Sequence, residues 1–292
     1  MQPFSPAKYH NLNMHAFASR RSFLGSAAGA LTLVRTSSAA PKTDDAADLK
    51  LGVASYSFRE FQRQLAITDT RKLNVRYINI KDYHLPLNST PGEIAQARQE
   101  FNKAGLTILG GGNISFPTTD EDDIHHKFEY AKLAGMPVIV CAPTHETLPL
   151  MEKYVKQYDI KIAIHNHGPE DKHFPTPQSA LEAVKNMDPR CGLCIDIGHT
   201  ARTGVDVVES VRLAGPRLFD MHAKDLADFS SKESQVPVGD GIMPIVGIFK
   251  ELKRMNYQGG VMLEYEVEGD NPFPGMQKSF AYMRGVLAGL RG

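Results

Sequence analysis

The 292-residue chain sets 33 lysines and arginines against 33 aspartates and glutamates, so no charge excess draws it to nucleic acid or an anionic membrane surface. With 42% hydrophobic residues it can bury one large core. Three cysteines are too few for a scaffold built on disulfides.

The first forty residues differ from the rest. Arg20-Arg21-Ser22-Phe23-Leu24 leads into an apolar, small-residue run at 25–34 and a small-residue exit at Ser37-Ser38-Ala39-Ala40. This pattern predicts a twin-arginine (Tat) export signal over 1–40, cleaved near Ala39 or Ala40, and therefore a periplasmic or otherwise extracytoplasmic product. The run is shorter than the ~20 residues a spanning helix needs, so no stable membrane anchor is expected. Residues 41–50 then read as a linker and 51–292 as one folded domain. Tat carries folded proteins, so a metal could be loaded before export.

From Leu51 onward short β-rich runs alternate with longer amphipathic segments. Strands are expected at 51–56, 76–80, 107–109, 138–141, 161–165, 192–196, 217–222 and 260–264. Helical patterns fall between them, among others at 92–105, 120–135, 176–187 and 245–256, with a last one at 271–290. Asp120 and Thr176 stand where N-caps are wanted, and Gly105 and Gly135 follow the last helical residue. Eight such repeats predict a closed (β/α)8 TIM barrel in a single domain rather than a doubly wound sheet. Cys191 and Cys194 have redox-motif spacing, but they run into a strand instead of opening a helix, so they read as small buried residues.

Polar residues gather where the strands end, which in such a barrel is the active-site rim. They are Lys81, Asp82 and His84 after the second strand and His165, Asn166 and His167 after the fifth. Asp196 and His199 follow the sixth, His222, Lys224 and Asp225 the seventh, and Glu264 and Glu266 the eighth. His165, Asp196, His222 and Glu264 form a mixed nitrogen and oxygen donor set for one divalent cation. Burying so many ionisable groups at one rim calls for a cation or substrate to compensate them.

The motifs LGVASYSFR (51–59), HLP (84–86), IHNHGPED (164–171), DIGH (196–199), HAKD (222–225), PVGDG (237–241) and YQGGVMLEYE (257–266) occur in this order. In that order and spacing the chain resembles the xylose isomerase-like barrel superfamily, the sugar phosphate isomerase/epimerase group. That group includes inosose dehydratases, hydroxypyruvate isomerases and ketose 3-epimerases. The resemblance implies one manganese, magnesium, cobalt or zinc ion held by Glu, Asp, His and Glu, matched here by Asp196, His222 and Glu264. At the first ligand position the chain departs, with His165 where the family has glutamate. The epimerases use two metal-bound glutamates on opposite faces of the sugar, and of that pair Glu264 alone remains.

The expected activity is metal-dependent carbohydrate isomerisation or epimerisation through an enediolate. Glu264 is the expected base and His199 or His167 the acid, with Lys224 and His84 orienting hydroxyls. Lys81, Asn166 and Asp225 complete the expected substrate contacts. Absence of a glycine-rich phosphate loop and the export signal favour a free sugar, keto-sugar or glycoside as substrate. A lyase, dehydratase or 3-keto-glycoside-cleaving enzyme uses the same first step, and a sugar-binding barrel without turnover is the non-enzymatic alternative. An apurinic endonuclease, which shares this barrel, needs a basic groove that the balanced charge does not supply. Homo-oligomerisation is left open.

Overall fold

The computed structural model describes residues 49–291. The twin-arginine segment expected over 1–40 lies outside the described residues, as do positions 41–48 of the expected linker. Among the described residues no helix is long and apolar enough to cross a membrane.

Eight parallel strands close into a barrel, in the order β1-β10-β7-β6-β5-β4-β3-β2 and back to β1. They are β1 (Lys50–Ala54), β2 (Tyr77–Ile80), β3 (Thr107–Phe116), β4 (Val138–Pro143), β5 (Lys161–His165), β6 (Cys191–Asp196), β7 (Leu218–Ala223) and β10 (Gly260–Leu263). Two short strands, β8 (Asp225–Leu226) and β9 (Gln235–Val236), pair antiparallel above the seventh stave. The helices are α1 (Arg63–Lys72), α2 (Pro91–Lys103), α3 (Glu121–Ala134), α4 (Leu148–Tyr158) and α5 (Pro177–Val184), followed by α6 (Ile197–Arg202), α7 (Val207–Ala214), α8 (Ile245–Arg254) and α9 (Phe273–Gly289). The expected eight-stave barrel is the observed fold.

Local chemistry sets where the helices begin and end. Thr90 and Glu93 form a capping box at α2, Thr176 and Ser179 another at α5, and each of these helices opens on proline. Asp120 accepts from two backbone N–H groups at the start of α3, and Gly135 closes it in the left-handed region. The main apolar core lies between the staves and the helix layer, with Phe58, Phe101, Phe116, Phe128 and Phe280 fully buried.

Two strands depart from the expected limits for identifiable reasons. The first stops at Ala54 and turns through a 3-10 segment at Ser55–Phe58. There Ser57 Oγ donates to the Leu263 carbonyl and accepts from Tyr265 N–H, while Ser55 Oγ accepts from Lys81 N–H. These bonds tie the end of β1 to those of β10 and β2. The third strand runs to Phe116 instead of stopping near 109, because Gly110-Gly111-Gly112 lets it bulge. Gly112 has φ 114°, and a Cβ there would collide with the Val140 carbonyl. Gly112→Ala is expected to destabilise the fold by about 2–4 kcal/mol, read as a lower denaturant midpoint in urea unfolding.

Candidate functional site

Parallel register brings the polar strand ends together. Asp196 on β6 stands beside His222 on β7, His165 on β5 stands beside Cys194, and Glu264 follows directly on β10. One donor atom from each of His165, Asp196, His222 and Glu264 lies within 4.8 Å of all the others, and all four residues are buried. His222 Nδ1 is 2.9 Å from His165 Nε2, 3.1 Å from Glu264 Oε2 and 3.8 Å from Asp196 Oδ2. His165 Nε2 is 3.6 Å from that same Asp196 oxygen.

Four donors holding a zinc-like ion at ~2.1 Å would stand roughly 3.0–3.4 Å apart, and the observed separations bracket this range. Burial lowers the pKa of His165 well below the usual imidazole range and so keeps its lone pair available. Asp196 Oδ2 is buried and turned to the ring, where the Lys224 ammonium lies 3.0 Å away. The residues therefore fit a divalent cation.

Two ammonium groups already offset the buried carboxylates. Lys224 Nζ lies 3.0 Å from Asp196 Oδ2, 3.0 Å from Glu264 Oε2, and in contact with Glu266 Oε1. Lys81 Nζ lies 2.8 Å from Glu264 Oε1. Compensation that the sequence assigned to a cation or substrate is thus supplied in part by the chain. Burial pushes Asp196 upward, but Lys224 and His199 together hold it well below the carboxylate range. Burial likewise raises Glu264, and His222, Lys81 and Lys224 outweigh it and hold that carboxyl low. Lys224 is lowered by burial and carried well above its ordinary value by Asp196, Glu264 and Glu266.

A cavity of about 240 Å³ opens beside this ring, with His165, Glu264 and Lys81 at its base. His167, His199 and Glu266 also face it. His167 is held by Asn113 and Asp171, and His199 Nδ1 meets Arg202. Burial lowers the His199 pKa.

Three residues expected at the substrate are engaged by the chain itself. His84 uses one ring nitrogen on Ser55 Oγ and the other on the Phe58 and Phe61 carbonyls. Asn166 donates to Thr200 Oγ1 and accepts from the Asp196 N–H, clamping β5 to the start of α6. Asp225 accepts from the backbone N–H groups of Leu226, Gly239, Gly241 and Met243, so it shapes the 237–243 loop. None of the three is among the residues lining the cavity, and a polar residue just past a strand serves the loop geometry there as readily as a ligand.

Sequence reasoning missed Tyr56, Tyr83 and Asn113, which line the cavity. The two tyrosines pack edge to face, with Tyr83 55% exposed as a flat wall. The glycine run before Asn113 was the available signal, since the bulge there turns the side chain toward His167. Below the ring, Asp220 is buried, accepts from Asn79 Nδ2 and lies 4.0 Å from His222 Nε2. A larger cavity, about 680 Å³, opens at the opposite mouth near Lys50 and Lys161, away from all these groups.

Comparison with known proteins matches residues 67–286 to a model of the xylose isomerase-like TIM barrel family. SgbU of Escherichia coli strain K12, named provisionally as an L-ribulose-5-phosphate 3-epimerase, is 32% identical over 77 residues, 25% of this chain and 27% of SgbU. The chain spans 27% and 45% of the length of the two curated relatives it matches. A D-psicose 3-epimerase of Clostridium cellulolyticum H10, solved with D-tagatose, aligns with TM-score 0.66 at 18% identity over 82% of this chain and 99% of that one. The IolI protein, solved with a zinc atom, aligns with TM-score 0.67 at 19% identity over 82% of this chain and 99% of its own. At these identities the solved structures show a shared fold.

The pH dependence of stability follows from the ring. Asp196 and Glu264 have depressed pKa values, so their contribution is present above the ordinary carboxylate range and is lost as pH falls through it and below. Burial pushes Asp220 up to about 7, so its contribution is present below the ordinary carboxylate range and lost as pH rises toward 7. Burial lowers His84, His165 and His199, so their contribution is lost as pH falls through the ordinary imidazole range. These three outweigh the single opposing carboxyl, and stability of the cation-free protein is expected to peak near neutral pH. Asp220→Asn should steepen the rise in stability from the carboxylate range toward pH 7 by removing the one opposing group, measured by urea unfolding across pH.

Proposed function

The chain belongs to the xylose isomerase-like TIM barrel family, and from that premise we propose that it is a divalent-metal-dependent carbohydrate isomerase or epimerase. Its substrate is a free sugar or keto-sugar, met outside the cytoplasm after export on the signal at 1–40. The observation that carries this reading is the convergence of His165, Asp196, His222 and Glu264 beside a cavity at the carboxyl ends of the strands. The names of SgbU and of the Clostridium enzyme support sugar epimerisation, and the zinc named with IolI supports a metal.

His165, Asp196, His222 and Glu264 would hold the ion. A bound divalent cation supplies Lewis acidity to a carbonyl oxygen and offsets the negative charge left when a proton departs from the adjacent carbon. Tyr83 offers a flat face to the apolar C–H side of a sugar ring, and Asn113 and Lys81 face its hydroxyls. Glu264 has both oxygens engaged and a depressed pKa, which suits a ligand better than a base. Proton transfer then falls to Glu266, which is half-exposed at the cavity wall, and to His199 and His167. Lys224 spans Asp196, Glu264 and Glu266, so it steadies the base and the ligands together.

A second reading, β-elimination by a lyase or 3-keto-glycoside-cleaving enzyme, is favoured by His165. One carboxylate and one imidazole serve a base and a leaving-group acid better than they serve two matched bases on opposite faces of a sugar.

The test is elemental analysis followed by incubation with keto-sugars and 3-keto-glycosides in D2O. Isomerase or epimerase activity exchanges solvent deuterium and returns a rearranged sugar; a lyase exchanges and releases the eliminated group; a binder exchanges nothing. Asp196→Ala and His222→Ala are expected to lose the metal and to lower turnover by more than about 100-fold. Undiminished turnover of either variant after chelation would overturn the metal-dependent reading. His165→Glu should keep the metal, measured by the same elemental analysis.

A further inference from the structure

Beneath the four-residue ring lies a second donor set of different chemical character. Register on β6 places Cys194 beside His165 on one side and Asp220 on the other. The Cys194 sulfur, one nitrogen of His165 and one of His222 lie within 4.8 Å of one another, all three residues being buried. His222 turns Nδ1 toward the upper ring, while Nε2 has no hydrogen-bond partner and faces Asp220 Oδ2 at 4.0 Å. Cys194 Sγ donates to that same carboxylate oxygen at 3.8 Å. The fully buried, unpartnered nitrogen of His222 is thus aimed at the carboxylate that the thiol also faces.

The two sets differ in softness. The upper one joins two imidazoles to two carboxylates, which suits hard and borderline ions such as magnesium and manganese. The lower one replaces the carboxylates with a sulfur, which selects thiophilic ions. We propose that Cys194, His165 and His222 form an alternative, deeper position for a strongly thiophilic divalent cation such as cadmium. It deepens the metal-dependent reading above, since it shares the two imidazoles, and for that reason only one position fills at a time. Coordination breaks the S–H bond and forms a sulfur–metal bond; the proton passes to the Asp220 carboxylate facing it, and no electrons are transferred. Cys194 does not line the cavity, whereas His165 and Glu264 do. An ion in the lower position therefore sits away from the substrate, and thiophilic ions act as inhibitors that displace a productive hard ion.

The experiment titrates the metal-stripped full chain with cadmium and follows thiolate-to-metal absorption in the ultraviolet, with manganese binding followed by electron paramagnetic resonance. The expected result is a thiolate band in the wild type that Cys194→Ser and Cys194→Ala abolish, with cadmium affinity falling at least tenfold and manganese affinity unchanged. Cys191→Ser, at a buried thiol outside this donor set, should keep the band. Cadmium bound without a thiolate band, or a band surviving in both Cys194 variants, overturns the lower position while manganese binding leaves the upper ring standing. Failure of both ions to bind overturns the two together.

Discussion

Lys224 is the charge on which the site depends. Its ammonium stands 3.0 Å from a buried oxygen of Asp196 and 3.0 Å from one of Glu264, and it contacts Glu266 as well. Two carboxylates this close, in a place that excludes water, repel each other and lose their hydration. The lysine offsets both penalties and lets them remain ionised side by side. The barrel can therefore fold with its donors aligned by its own charges, an alignment of the kind that electrostatic preorganisation describes.

The barrel supplies the rest through register. Parallel staves bring Asp196 level with His222 and place His165 beside the next strand, so donors distant in sequence share one rim. Serines at the end of β1 and Asn166 after β5 fix neighbouring staves to one another, and Asp225 fixes the loop above. Few of these groups touch the cavity. They hold in place the ones that do.

The repeating pattern of the fold was legible because each stave is a short apolar run and each helix an amphipathic one, often with its cap written beside it, as Asp120 and Thr176 show. The ring was legible for a related reason: a polar residue ending an apolar run stands out. At His84, Asn166 and Asp225 that same signal coincides with hydrogen bonds within the chain, because a loop leaving a barrel also needs buried acceptors and donors for its own backbone. Periodicity carries no information on which demand a given side chain meets. Tyr56 and Tyr83 were illegible for the opposite reason, since an aromatic residue near a strand end looks like ordinary core until its exposure is seen. The length of β3 depended on a glycine bulge whose register shift is a property of two strands, not one.

Asp196 has a second occupation. While Oδ2 faces the ring, Oδ1 accepts from the His199 N–H at 2.8 Å and caps the first turn of α6. That capping bond fixes the rotation of the carboxylate, so the oxygen turned toward the ring keeps its place without help from the cavity side. Whatever loosens the first turn of α6 also swings that oxygen, and the start of one helix is thereby coupled to the alignment of all four donors.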